Sequence, residues 1–413
     1  MDRVVVATTQ QQMRVFEKQE DYQEDIYRYL RMAQAKHARL IVFPALSPVM
    51  LVPSLLSSPR LGLMKQADKG RGRWATLKDR LMGQAAEAAD QALGGGLRGE
   101  MNRLLNRAPE ALYEAYVDLF SAAALKFKMT IVAGSLYLRL SEEASSKHIC
   151  LVFGPNGQIL GRQEKVHLTV EEMGFCQAGD GFAAIDTEVG RLGILIGEDV
   201  LFPESGRLLA YAKSDLLINP AACAGPEAFY QVRHAFLARL NENELAGVQS
   251  CLVGPNRLTA SGQDFVGRSG LFVPIRISPR LDSILFEMGA MTVEGVIGEA
   301  LDLAAVRQQW AQDTPRLRQG MRLVAYQPLA AAYGSLRTLD QAYRAPESPP
   351  APRMLAEAPP QAGEPSPDAA PAAGEGREAE KRNLNLRGMG KSEGGFDLLA
   401  SPFSKSDAGP DEG

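Results

Sequence analysis

RLGILIGEDVLFPE, residues 191 to 204, decides how this chain folds. Arg191 to Ile196 is an apolar strand that runs straight into a turn at Gly197-Glu198-Asp199, and Phe202-Pro203-Glu204 then opens a helix. Pro at the first helical position with an acid beside it is a common start signal. The glycine at the head of the turn carries no side chain, so it cannot attack a substrate.

The same rhythm holds to either side. Arg3 to Thr8 reads as a strand and Asp21 to Lys36 as a helix, on the spacing of Ile26, Leu30 and Ala33. Leu40 to Phe43 reads as another strand, ended by Pro44. Strand, helix, strand opens an alternating α/β sheet. Downstream, Thr130 to Leu140 and Ile149 to Phe153 are strands, with Gly154-Pro155-Asn156-Gly157 as the turn into Gln158 to Arg162. Asp215 to Asn219, a helix at Phe229 to Glu244 and a strand at Gly247 to Val253 follow. Leu271 to Val273, Ser283 to Glu287 and Gly295 to Ala300 complete a β-rich end.

Two segments break the rhythm. Between about 51 and 128, Leu77, Leu81, Ala85, Ala89 and Leu93 follow one helical stripe, interrupted by Gly94-Gly95-Gly96. Leu104, Leu105, Leu112, Tyr116, Leu119, Phe120 and Ala123 follow a second. Ten Lys/Arg against five Asp/Glu between Arg60 and Arg107 make the stretch basic. A helical insertion explains it; a basic surface for a membrane or an acidic partner is the alternative, weakened by the glycines. Residues 331–413 read as a C-terminal extension, and past Ala345 Pro, Ala, Gly and Glu dominate. Such a composition predicts disorder. Phe396-Asp397-Leu398-Leu399 and Phe403 form a small apolar island within it, a docking motif or chance.

At 413 residues and 45% hydrophobic, the chain can bury a large core. A net charge of -4 argues against a general nucleic-acid binder. The four cysteines are scattered, as reduced thiols of a cytoplasmic protein would be, and the four histidines have no metal-ligand spacing. No cofactor is implied, no leader is evident, and no run approaches the ~20 apolar residues of a membrane helix.

Several motifs, taken together, resemble one family. Leu40-Ile41-Val42-Phe43-Pro44, Gly161-Arg162-Gln163-Glu164-Lys165-Val166-His167-Leu168, Glu172 with Gly179-Asp180-Gly181, the 191–204 turn with Arg207, Leu216 to Pro220, and Arg239 with Glu242-Asn243 and Asn256 stand in the order found in the nitrilase, or carbon-nitrogen hydrolase, superfamily. The resemblance covers about Arg3 to Tyr326. It implies an α-β-β-α sandwich over residues 1–330, interrupted by the helical insertion and followed by the disordered tail, and paired into a dimer.

The family's chemistry uses a glutamate base, a lysine and a cysteine nucleophile. Carried over position by position, the lysine is Lys165, the base position holds Ala45 and the cysteine position holds Gly197. The retained lysine in an enlarged pocket implies a small ligand bearing a carbonyl or anionic group. The leading expectation is therefore a pseudoenzyme with a binding or regulatory role.

Two replacements would keep an amidase or nitrilase alive. Cys223, after Asn219-Pro220-Ala221-Ala222, could act as a substitute nucleophile, or fill a gap as buried cysteines usually do. Glu172 or Glu198 could activate water. We expect instead that Glu172 orients the lysine and that Glu198 faces solvent or a neighbouring chain. Glu198, as a residue of the 191–204 turn, and Asp199 are expected at the pocket, and Cys176 in packing. A third possibility is a dimeric scaffold that recruits partners through the insertion and tail.

Overall fold

The computed structural model describes residues 3–55, 76, 82, 96–140, 145–259, 261–312 and 333. The chain divides into units 1–334 and 335–413, and all that follows concerns the first. The Leu77 to Leu93 stripe, most of the basic segment and the entire tail beyond Ala345, with its apolar island, lie outside the described residues.

Twelve strands form one hydrogen-bonded sheet that folds into two facing layers. The first half contains β1 (Arg3–Gln12), β2 (Leu40–Val42), β3 (Thr130–Leu138), β4 (Lys147–Phe153), β5 (Ile159–Glu164) and β12 (Gly295–Asp302). Here β2 lies parallel between β1 and β3, β4 and β5 continue antiparallel, and β12 closes the other side of β1. The second half contains β6 (Ala184–Thr187), β7 (Gly190–Ile194), β8 (Leu216–Ala221), β9 (Ala246–Val253), β10 (Gly270–Phe272) and β11 (Ile284–Glu287). β7, β8 and β9 run parallel, and both edges are finished by antiparallel strands.

The halves are stitched where Gln10 to Gln12 pair with Cys251 to Val253. Thr8 Oγ1 donates to the Gln249 carbonyl at 3.0 Å and Ser250 Oγ to that of Thr9 at 2.7 Å. All four residues are buried, and the two hydroxyls of this polar seam find their partners inside it. At the far side Gly161 of β5 lies against Ile185 of β6, where a side chain at 161 would stand 2.9 Å from the isoleucine.

Helices cover both outer faces, giving the α-β-β-α order. α1 (Gln19–Ala35) buries Ile26, Leu30 and Ala33, the stripe predicted by its spacing, and with them Tyr22 and Tyr29. The second predicted stripe is divided at Ala108-Pro109 into α2 (Gly96–Arg107) and α3 (Pro109–Phe127), because Pro109 cannot continue a helix but can begin one. α3 belongs to the core of the sandwich: Tyr116 and Phe120 pack edge-on, and Phe120 stacks with Phe153 of β4. A short α4 (Val170–Met173) follows β5. α5 (Pro203–Tyr211) and α6 (Gly225–Asn243) cover the second half, where Leu209, Phe229, Phe236 and Leu240 bury against Leu217 and Ala221. α7 (Leu303–Gln312) ends the described fold. No helix among the described residues is long and apolar enough to cross a membrane.

Candidate active site

Strand ends and the turns after them bring the sequence-predicted residues together. Ala45, Lys165, Glu172, Gly197 and Glu198 all line one cavity of about 60 Å³. Ala45 follows β2 and bridges to Ser135 of β3. Lys165 follows β5, with its amide donating to the His148 carbonyl at 2.8 Å. Gly197 and Glu198 begin the 3-10 turn Gly197–Leu201 after β7.

Both chemically silent turns are bent sharply. Gly197 has φ +53° and Leu46, beside Ala45, has φ +61°. That backbone region is costly for an ordinary side chain and open to glycine. A β-carbon at 197 would meet only Lys165 Nζ, 3.7 Å away. The space a nucleophile would occupy is open.

Lys165 is not solitary. Its ammonium donates to Glu172 Oε2 at 2.7 Å and to Glu198 Oε2 at 2.6 Å. Burial opposes the charged ammonium, but Glu198 and Glu172 outweigh it and raise its pKa. Glu198 lines the pocket, with its carboxylate on the lysine and not out in solvent. Its side chain is 32% exposed and its carboxylate turns inward because the buried lysine needs a second anion.

Glu172 is saturated. Oε2 also accepts from the Thr169 amide at 2.8 Å, and Oε1 accepts from Tyr137 at 3.1 Å and lies 2.8 Å from His148 Nδ1. Glu172 N donates back to Thr169 Oγ1 at 3.2 Å, a capping box that starts α4. Burial opposes its ionisation, yet His148 and Lys165 prevail and hold it well below the usual carboxylate range. A carboxylate so engaged fixes the lysine and is a poor base.

His148 Nε2 lies 2.8 Å from Ser135 Oγ, so serine, histidine and glutamate stand in line. Ser135 is fully buried and does not line the cavity, which keeps its hydroxyl from a ligand. Ser135, Tyr137 and His148 went unrecognised in the sequence. The register that pairs Tyr137 with His148 across β3 and β4 brings them here.

Cys223 and Asp199 are placed elsewhere. Ala222 lines the cavity, whereas Cys223 packs beneath α6 with Phe229, and burial pushes its thiol up. Such a thiol is a poor nucleophile. Asp199 is fully buried: Oδ1 accepts from the amides of Val166 and His167 at 3.2 and 2.8 Å, and Oδ2 from that of Ile196 at 3.2 Å. It braces the walls instead of facing the ligand space. The His167 ring stacks on Phe202 at 3.6 Å between centroids. Cys176 is buried as expected, with burial raising its thiol to about 12. Among the described residues no cluster of three His, Cys, Asp or Glu could hold a metal.

Comparison with known proteins agrees with this fold. The sequence profile of the family described as carbon-nitrogen hydrolase matches residues 5–246. A probable hydrolase of Bacillus subtilis is 30% identical over 215 residues, 52% of this chain and 41% of that protein. A nitrilase of Pyrococcus abyssi is 32% identical over 164 residues, 40% of this chain and 56% of its own length. The chain thus spans about half the length of these curated relatives. Among solved structures, a carbon-nitrogen hydrolase from Helicobacter pylori superposes with a TM-score of 0.56, covering 79% of this chain and 98% of that one. Its 20% identity makes this a likeness of fold alone.

Proposed function

We propose, from the premise that this chain belongs to the carbon-nitrogen hydrolase family, that its pocket binds a small molecule without hydrolysing it. The observation that carries the reading is the open space beside Lys165 at Gly197, in a cavity whose other reactive position is Ala45. Losing the nucleophile of a covalent-catalysis site costs about a million-fold in rate, and losing the base as well adds little. The buried, raised thiol of Cys223 supports no substitute.

A second reading keeps hydrolysis through a water activated by Glu198. It is favoured by one feature: Glu198 lines the cavity and bonds Lys165 through Oε2 alone. We also propose a homodimer, supported by Leu208 and Tyr211, which stand exposed on α5. The scaffold reading rests on the insertion, of which residues 56–95 lie almost wholly outside the described residues, and on the tail, which does so beyond residue 333.

The purified chain is tested for ammonia release from short amides and nitriles, beside Lys165→Ala, Cys223→Ser and Glu198→Gln. Wild type is expected to match buffer. Turnover lost in Cys223→Ser or Glu198→Gln would sink the binding reading and name the residue responsible.

A further inference from the structure

We propose that the cavity seats the head of a primary alkylammonium, held by Glu198 over Gly197, and not the anion that a lone lysine would attract. The proposal rests on the binding reading above and adds the chemical class of the ligand.

Charge balance is the first support. Glu171, Glu172 and Glu198 line the cavity against Lys165 and Arg98. Arg98 lies 3.4 Å from Glu171, which leaves one buried lysine between two carboxylates. His148 also lines the cavity, 2.8 Å from Glu172, so the imbalance is local to the ammonium, which two carboxylates hold between them. An anion reaching Lys165 would stand beside both carboxylates and be repelled by each.

Hydrogen-bond capacity is the second. Both oxygens of Glu172 are occupied, whereas Glu198 uses only Oε2. Glu198 Oε1 accepts no hydrogen bond from another described residue, and on a side chain 32% exposed it is open to an ammonium N–H. Shape is the third. Gly197 leaves the floor beside Lys165 open, and Leu46, Met101, Ile196 and Leu258 give apolar wall for a short alkyl stem.

Calorimetric titration of the full chain with n-butylammonium and with butyrate tests this. Butylammonium is expected to bind and butyrate not to, and Glu198→Gln should weaken the ammonium by about tenfold or more. Ala222→Leu, which fills the cavity while keeping every charge, should weaken it as well and serves if the Glu198 variant does not fold. Butyrate binding as tightly, no heat from butylammonium, or indifference to a folded variant would each overturn the proposal. Butyrate preference would remove the ligand class and leave the non-hydrolytic reading intact. Amide turnover would remove that reading whichever ion binds.

Discussion

Gly197 and Lys165 face each other across open space, the built β-carbon of one lying 3.7 Å from the ammonium of the other. A thiol placed at 197 would therefore sit in a cation's field, which favours the thiolate. In Gly197→Cys we expect iodoacetamide to alkylate residue 197 in the native state well before Cys223, whose thiol burial pushes up. The φ of +53° sets a stability cost of about 1 kcal/mol, read by urea denaturation. Labelling of 197 as slow as that of Cys223 would mean that Glu172 and Glu198 cancel the lysine's field.

Glu172 makes the fold sensitive to acid. Its folded pKa is depressed, so its stabilisation is present above the unfolded carboxylate value of about 4.3 and drains away as pH falls below it. The raised pKa of Lys165 works in the other direction, losing stabilisation only as strong alkali is approached, and gives no opposing trend in acid. Glu172→Gln should cost about 3 kcal/mol at neutral pH, because Lys165 keeps only Glu198. Its melting temperature should also fall less than that of wild type between neutral pH and pH of about 3. Parallel acid profiles for the two proteins would exclude this role.

Gly134 sits in β3 with φ +71°, and a β-carbon there would be driven into the Pro44 carbonyl oxygen, with Pro48 Cδ at 3.3 Å. Because backbone cannot yield as a side chain tip can, Gly134→Ala is expected to destabilise by about 3 kcal/mol. Gly289→Ala, with nothing within 4 Å, is the control and should stay near wild type. Equal melting temperatures for the two variants would refute the close approach of β3 to the Ala45 turn.

Much of this architecture was legible because periodicity reports burial. The α1 stripe, the parallel strands and the 191–204 turn could be read directly, and the family resemblance placed Lys165, Ala45 and Gly197 near one another. The resemblance could not convey what depends on register. His148 meets Glu172 through antiparallel pairing of β4 and β5, which sets Lys165 beside His148, a contact 24 residues apart that no local pattern marks. Ala222 and Cys223 show the same limit: adjacent residues leave the chain in different directions, so a shift of one decides which faces the ligand. Glu198 could be placed at the pocket from its turn, but its bond to the lysine could not, because turn acids ordinarily stay in water. The unsatisfied charge of a lysine 33 residues away turned it inward.

Asp199 ties the segment bearing Lys165 to the end of β7 through three backbone amides, and nothing in that tie involves residue 45 or 197. The frame and the reactive groups are therefore separately encoded. Exchanging a cysteine for a glycine, or a glutamate for an alanine, changes what the chamber does while its walls keep their spacing. A scaffold wired this way holds the dimensions of its chamber whatever residues stand at 45 and 197.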